Sequence, residues 1–279
     1  STDTTFSNFA LSPFYLLNNL IVDTLFSSYF TTYEKLYSLS SINNNDMPST
    51  INSFLAIVHK IDSTFDLKSE VSKQTKNKIF IKQEMEIPLL YDDNTSKNFD
   101  NIFTTYDNKK PRLDYMNISG NFPIYLSDDE QVSEIPIGNG NYILMLIQPT
   151  SCSIKDYINK FDEQKYFSLI QNTQERQVNL AFPLINVDTK DKEIYMPTLS
   201  NSDSTITFPK KLFVSTSISL RKATMAELST NVNNKTHNNS VLSKNDSKPI
   251  KYDSPFLFII RGKNSNLIMF IGWYLSPQK

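Results

Sequence analysis

The 279-residue sequence contains one cysteine, Cys152, so no disulfide can form within a single chain. We expect its thiol to be partly buried. The two histidines, His59 and His237, are not spaced with other ligands as a metal site requires, so no metal is expected. Five glycines barely suffice for a glycine-rich phosphate loop, and none is found. Because the usual enzyme signatures are absent, we expect neither a cofactor nor catalysis.

The charge is nearly balanced, with 28 Lys and Arg residues against 29 Asp and Glu residues. A net charge of −1 gives no reason to expect nucleic acid or an anionic membrane as a partner. No apolar run reaches the length of a membrane-spanning helix, because Arg261 and the pair Asn18 and Asn19 interrupt the longest runs. The sequence begins at Ser1 without a signal-peptide pattern. These properties are typical of a globular protein in water.

Two apolar runs near the end of the chain predict a β-hairpin. Residues 255–261 and 267–274 are rich in β-branched and aromatic side chains, and they flank the polar tip 262–266. Both runs are nearly continuous rather than alternating, which is typical of strands covered on both faces. We therefore expect this hairpin to lie in the core.

The spacing of apolar residues also predicts the other strands and helices. The sequence contains no internal repeats. Strands are predicted over residues 6–14, 111–116, 120–126, 132–137, 142–149 and 176–185. Helices are predicted over residues 13–25, 31–39, 49–61 and 154–170.

Several of these segments together resemble the serpin family. The hairpin and the following Ser276-Pro277 resemble the serpin C-terminus, and Asn8 with Ser12-Pro13 resembles the serpin opening. Residues 77–88 are similar to the family pattern Asn-x-Ile-x-Phe-Lys-Gly-x-Trp-x-x-Pro-Phe, which implies a long central strand there. Residues 212–225 resemble the strand that leads to the reactive loop. The resemblance implies an α+β fold with a central mixed β-sheet, a C-terminal core hairpin in that sheet, flanking helices and an exposed reactive loop. It implies one domain over residues 1–279, shortened by several N-terminal helices and edge strands.

The resemblance also implies how such a protein works. A serpin presents its loop as protease bait, and after cleavage the N-terminal half of the loop inserts as a strand into the central sheet. Here residues 227–251 are the candidate loop. Counting back from Pro255 by the family spacing places the scissile bond between Lys244 and Asn245, whereas counting forward gives Ser243. A lysine at this position would suit the acidic pocket of a trypsin-like serine protease.

The resemblance assigns two further groups of residues. The hinge, where insertion would begin, contains Glu227, Ser229 and Thr230, but the family's glycine and alanines are replaced by Leu, Ser, Asn, Val and Lys residues. Burying unpaired Asn or Lys side chains there would cost roughly 1–3 kcal/mol each. Control of sheet opening would involve Asn77, Met85 in place of the family tryptophan, and Ser219 in place of the family histidine.

Three functional hypotheses follow from the sequence. The first is a secreted, monomeric, extracellular inhibitor of trypsin-like proteases with Lys244 as bait. The second is a non-inhibitory serpin-fold protein whose loop is a contact surface or a substrate, because the hinge departs from the family pattern. The third is an unrelated surface protein. Sequons for N-glycosylation begin at Asn94, Asn117, Asn234, Asn238 and Asn245.

Overall fold

The computed structural model describes residues 6–14, 16, 66–75, 78–91, 101–138, 140–194, 199–200, 205–206, 211–230 and 250–278. Fourteen strands lie within these residues: β1 (Phe9–Leu11), β2 (Asp66–Thr75), β3 (Lys78–Leu89), β4 (Tyr115–Leu126), β5 (Glu130–Ile137), β6 (Tyr142–Pro149), β7 (Gln174–Pro183), β8 (Asn186–Ile194), β9 (Leu199–Ser200), β10 (Thr205–Ile206), β11 (Lys211–Lys222), β12 (Ile250–Lys251), β13 (Phe256–Gly262) and β14 (Ile268–Tyr274). Three helices have both ends within these residues: α1 (Ile154–Lys160), α2 (Glu163–Asn172) and α3 (Met225–Thr230).

The predicted C-terminal hairpin is confirmed as β13 and β14, and it lies inside an eight-stranded sheet. The strand order of that sheet is β1-β14-β13-β6-β5-β4-β7-β12. Every residue of β13 is buried, as expected of a strand that is covered on both faces. Gly272 of β14 permits this packing, because a Cβ atom there would lie 2.3 Å from the carbonyl oxygen of Phe9 and 2.5 Å from the Phe258 ring.

A four-stranded sheet has the order β2-β3-β11-β8. The hairpin is absent from this sheet, so the expectation that the hairpin shares one central sheet with residues 77–88 is wrong. The reason is that β13 forms hydrogen bonds with β6 and β14 on its two sides, which leaves it no free edge for β3.

The chain divides into two compact units. One contains residues 1–11, 87–188 and 218–279, and the other contains residues 12–86 and 189–217. Strands β3, β8 and β11 therefore each contribute residues to both units.

The first unit contains α1 and α2, where the sequence predicted one helix over residues 154–170. Each helix has its own N-cap: the Ser153 side chain accepts a hydrogen bond from the Asp156 N–H, and the Asp162 side chain accepts one from the Lys165 N–H. Both helices pack on the sheet through a cluster of buried side chains that includes Tyr157, Tyr166, Leu169, Leu257 and Ile259. Because Asp162 caps the start of α2, α1 ends at Lys160, and the predicted single helix is divided into two.

Three other local predictions are corrected. The two strands predicted over 111–116 and 120–126 are one strand, β4, because it pairs without interruption with β7 from Tyr115 to Ile124. The strand predicted over 6–14 contracts to β1, because Pro13 and Phe14 are already helical. Cys152 is exposed rather than partly buried, because it lies in the turn between β6 and α1. The helices predicted over 31–39 and 49–61 lie outside the described residues.

None of the described helices is long and apolar enough to cross a membrane. In the same residues, no group of three or more His, Cys, Asp and Glu side chains is arranged to hold a metal ion.

Candidate functional site

Strands β3 and β11 are hydrogen-bonded neighbours and form the centre of the candidate site. The Thr216 hydroxyl donates to Gln83, and seven residues later the Ala223 N–H donates to the Leu89 carbonyl oxygen at 3.3 Å. Contacts that advance together along both strands mean that β3 and β11 run parallel. A chain that leaves β11 and turns back would therefore be antiparallel to both strands if it entered between them.

Gln83 provides a buried polar link between these strands. Its side-chain oxygen accepts from the Ser12 N–H at 3.1 Å and from the Thr216 hydroxyl at 2.9 Å, and its Nε2 donates to the Ser12 carbonyl at 3.3 Å. All three residues are fully buried. Separating β3 from β11 at this point would break the bond to Thr216, and a buried polar group that loses its partner is costly.

We expect Gln83→Met, which keeps the side-chain volume, to lower the free energy of unfolding by about 2–3 kcal/mol, because it removes three buried hydrogen bonds. Urea denaturation measures this change. Thr216→Val removes one of the three bonds and should cost about 1 kcal/mol. A Gln83→Met midpoint equal to that of the wild type would contradict the role assigned to this link.

The N-terminal end of the candidate loop begins in a helix. After β11, Thr224 starts α3: its carbonyl oxygen accepts from the Leu228 N–H at 3.0 Å, and its hydroxyl accepts from the Glu227 N–H at 3.3 Å. The Glu227 carboxylate accepts in return from the Thr224 N–H at 2.7 Å. This reciprocal pair is a capping box. Arg221 of β11 completes the arrangement by donating to both Glu227 oxygens, at 2.9 and 2.7 Å.

The Arg221 guanidinium, together with the Thr224 donors, lowers the pKa of Glu227 from its ordinary value of 4.5 to about 2. Since the folded pKa is depressed, this carboxylate stabilises α3 above about pH 4.5 and loses that contribution as the pH falls towards 2.

We expect NMR titration of the Glu227 carboxyl carbon to give a midpoint near pH 2 in the wild type. Arg221→Gln should raise that midpoint towards the ordinary value, because it removes the Arg221 hydrogen bonds, which are the largest cause of the lowered Glu227 pKa. Lys211→Gln, which removes a charge at the opposite end of β11, should leave it unchanged. An unaltered midpoint in Arg221→Gln would contradict the assignment.

The C-terminal end of the candidate loop is anchored in the eight-stranded sheet. Strand β12 pairs in parallel with β7, so that Ile250 lies opposite Leu180 and Lys251 opposite Ala181. Tyr252 is wholly buried; its hydroxyl donates to Ser133 at 2.8 Å, and its N–H donates to the Ala181 carbonyl at 2.9 Å. Burial raises the pKa of the Tyr252 hydroxyl, which keeps it protonated as a donor.

Some of the predicted site residues can be placed, and others cannot. Lys244, Asn245 and Asn77 lie outside the described residues. Glu227 and Ser229 both lie in α3, with Thr230 as its last residue. Met85 is buried on β3, on the same face as Gln83, whereas Ser219 is half-buried on the other face of β11 from Thr216. The structure therefore brings Thr216, rather than Ser219, to the polar link between the strands.

Thr224 and Gln83 were not predicted as site residues, although the sequence contains local patterns that point to both. Thr224 and Glu227 form the pattern Thr-x-x-Glu, which predicts a helix N-terminus. Gln83 is a polar residue among the apolar positions Ile81, Met85, Ile87 and Leu89, which alternate along β3. Such a residue needs a buried partner, although the partner's identity depends on the tertiary structure.

Comparisons with solved structures show which fold this is. SRPN18 from Anopheles gambiae is 10% identical, with a TM-score of 0.68; the match covers 98% of this chain and 93% of that one. A tumour-suppressing serpin is 12% identical, with a TM-score of 0.67 and coverage of 97% and 93%. Native protease nexin-1 with heparin is 13% identical, with a TM-score of 0.53, and the match covers 72% of this chain but only 57% of that one.

Sequence comparison reaches the same family. No curated protein sequence matches the chain. The family model described as Serpin (serine protease inhibitor) matches residues 93–277, which is more than half of the chain and includes β4 to β14. This match and the shared fold agree with the arrangement of β3, β11 and the C-terminal hairpin, and the chain therefore belongs to the serpin family.

Proposed function

We propose that the protein is a secreted inhibitor of trypsin-like serine proteases, that it acts through the loop over residues 227–251, and that it is not itself an enzyme. The observation that carries this proposal is the parallel pair β3 and β11. The candidate loop begins within α3, a few residues after β11, and ends at β12, so insertion would bring its N-terminal half back towards the pair. This is the arrangement that strand insertion requires.

Lys244 is the proposed bait residue, and the bond to Asn245 is the proposed scissile bond. A lysine side chain can pair with the acidic specificity pocket of a trypsin-like enzyme. Lys251 is a poor alternative because its backbone belongs to β12 and the Gln131 side chain donates to its carbonyl oxygen at 2.7 Å. Lys248 precedes a proline and is a poor site for the same class of enzyme.

The proposal is tested by incubating the protein with a panel of serine proteases and separating the products on a denaturing gel. If the protein inhibits by loop insertion, it should form a covalent complex with a trypsin-like enzyme, and this complex should survive denaturation. Sequencing of the released C-terminal fragment should begin at Asn245. Complete cleavage without any complex would reject the inhibitory function.

A second candidate function is a non-inhibitory serpin-fold protein whose loop is a contact surface or a substrate. The observation that favours it is α3, because the first hinge residues are helical and Glu227 is held by Arg221 and Thr224. Thermal unfolding before and after loop cleavage separates the two functions. A large gain in heat stability reports insertion, whereas an unchanged midpoint supports the second function.

A further inference from the structure

The chain changes from strand to helix within three residues at the start of the candidate loop. The last hydrogen bond that joins the end of β11 to β3 runs from the Ala223 N–H to the Leu89 carbonyl. The next residue, Thr224, caps α3. Met225, the first residue of α3, is 82% exposed, Ala226 is exposed and Leu228 is only half-buried, so burial of apolar side chains contributes little to this first turn. The described contacts that hold the turn in place are therefore mainly the polar ones around Glu227.

Through these contacts, the Glu227 carboxylate in α3 is joined both to β11 and to the helix cap at Thr224. Glu227 accepts from Arg221 in β11, from the Thr224 N–H at the cap and from the Thr224 hydroxyl at 2.9 Å. The Arg221 contact is bidentate, which restricts the angle between the strand and the helix as well as the distance.

These contacts are compatible only with the helical form of residues 225–230. Thr224 and Glu227 are three residues apart, so the helix advances about 4.5 Å between them, whereas a strand advances about 10 Å. Arg221 and Glu227 would be separated by about 20 Å along a continuous strand. A hinge that entered the sheet as a strand would lose both contacts, which means that they stabilise only the state before insertion.

We infer that Arg221 is a positioning residue for the loop: together with Thr224 it holds Glu227 in α3 and so keeps the hinge out of the sheet until the helix unwinds. The inference deepens the proposed function, on which its consequence for insertion depends. Its physical basis, the dependence of α3 on Arg221 and Thr224, can be measured on the intact protein whether or not insertion occurs.

The test uses Arg221→Gln and Thr224→Val, with Thr224→Ser as the conservative variant that keeps the capping hydroxyl. Lys211→Gln is the matched control, because Lys211 pairs with Glu193 at 3.0 Å at the other end of the same strand. Amide hydrogen exchange of residues 225–230 is measured on the intact protein. Exchange in β13 and β14 serves as the internal reference for correct folding.

We expect exchange in α3 to be about fivefold faster in Arg221→Gln and Thr224→Val, and unchanged in Thr224→Ser and Lys211→Gln. The same proteins are then cleaved briefly with trypsin, and the rate at which the heat-stable form appears is followed. Arg221→Gln and Thr224→Val should form it about fivefold faster than the wild type.

Each result has one meaning. Unchanged exchange in α3 overturns the inference, and so does faster exchange combined with an unaltered insertion rate in a wild type that inserts. If the wild type does not insert but the two variants do, the inference holds and the inhibitory function of the natural chain fails. If no protein inserts, both fail.

Discussion

Lys244→Ala is expected to reduce the rate of covalent complex formation with trypsin-like proteases by about a thousandfold or more. The physical reason is the enzyme's specificity pocket, in which a buried carboxylate would be left without its cationic partner. A single loop substitution of this kind should change the free energy of unfolding by no more than about 0.5 kcal/mol. The large loss of reaction and the small change in stability separate a recognition effect from a folding effect.

The rate is measured by quantifying the complex on denaturing gels over time, with urea denaturation to check the fold. Lys235→Ala and Lys248→Ala are matched controls, since each removes a lysine from the same candidate loop. They should react like the wild type. If Lys244→Ala reacts normally and Lys235→Ala or Lys248→Ala does not, the bait has been assigned to the wrong lysine.

Glu134→Ala is expected to have the largest effect on stability, with a loss of about 3–5 kcal/mol in the free energy of unfolding. Both Glu134 oxygens accept from Arg261 Nη2 at 2.8 Å, and both side chains are only 5% exposed. Arg261 also donates to the Asn266 side chain at 2.7 Å, so the pair stabilises the turn of the C-terminal hairpin. Removing the carboxylate leaves a buried guanidinium without its anion, and this penalty exceeds the loss of an ordinary contact.

Urea denaturation measures the effect, and two comparisons establish its cause. The double variant Glu134→Leu with Arg261→Met removes both charges and should recover much of the loss, because no unpaired charge remains buried. Glu84→Gln breaks the exposed Lys82–Glu84 pair and should cost only about 0.5 kcal/mol. Equal losses for Glu134→Ala and Glu84→Gln would show that burial of the pair is not what matters.

Strands β6, β13 and β14 could be predicted from the sequence because each is a nearly continuous apolar run bounded by polar or glycine-containing residues. The resemblance of residues 77–88 and of the hairpin also identified the serpin fold. These features depend on neighbours in sequence. Residues 231–249, which contain the proposed bait, lie outside the described structure, and their assignment remains a prediction.

Only the tertiary structure decided which strands are neighbours and which polar groups meet. Apolar patterning states that a strand is buried, but it does not state against which partner, and so the hairpin was expected in the wrong sheet. The partners of Gln83 are 71 and 133 residues away in the chain, and no local pattern can identify contacts at that separation. The helix at the hinge illustrates both sides: the local pattern Thr-x-x-Glu determines where α3 begins, whereas the fold of β11 brings Arg221 to Glu227 and holds the helix there.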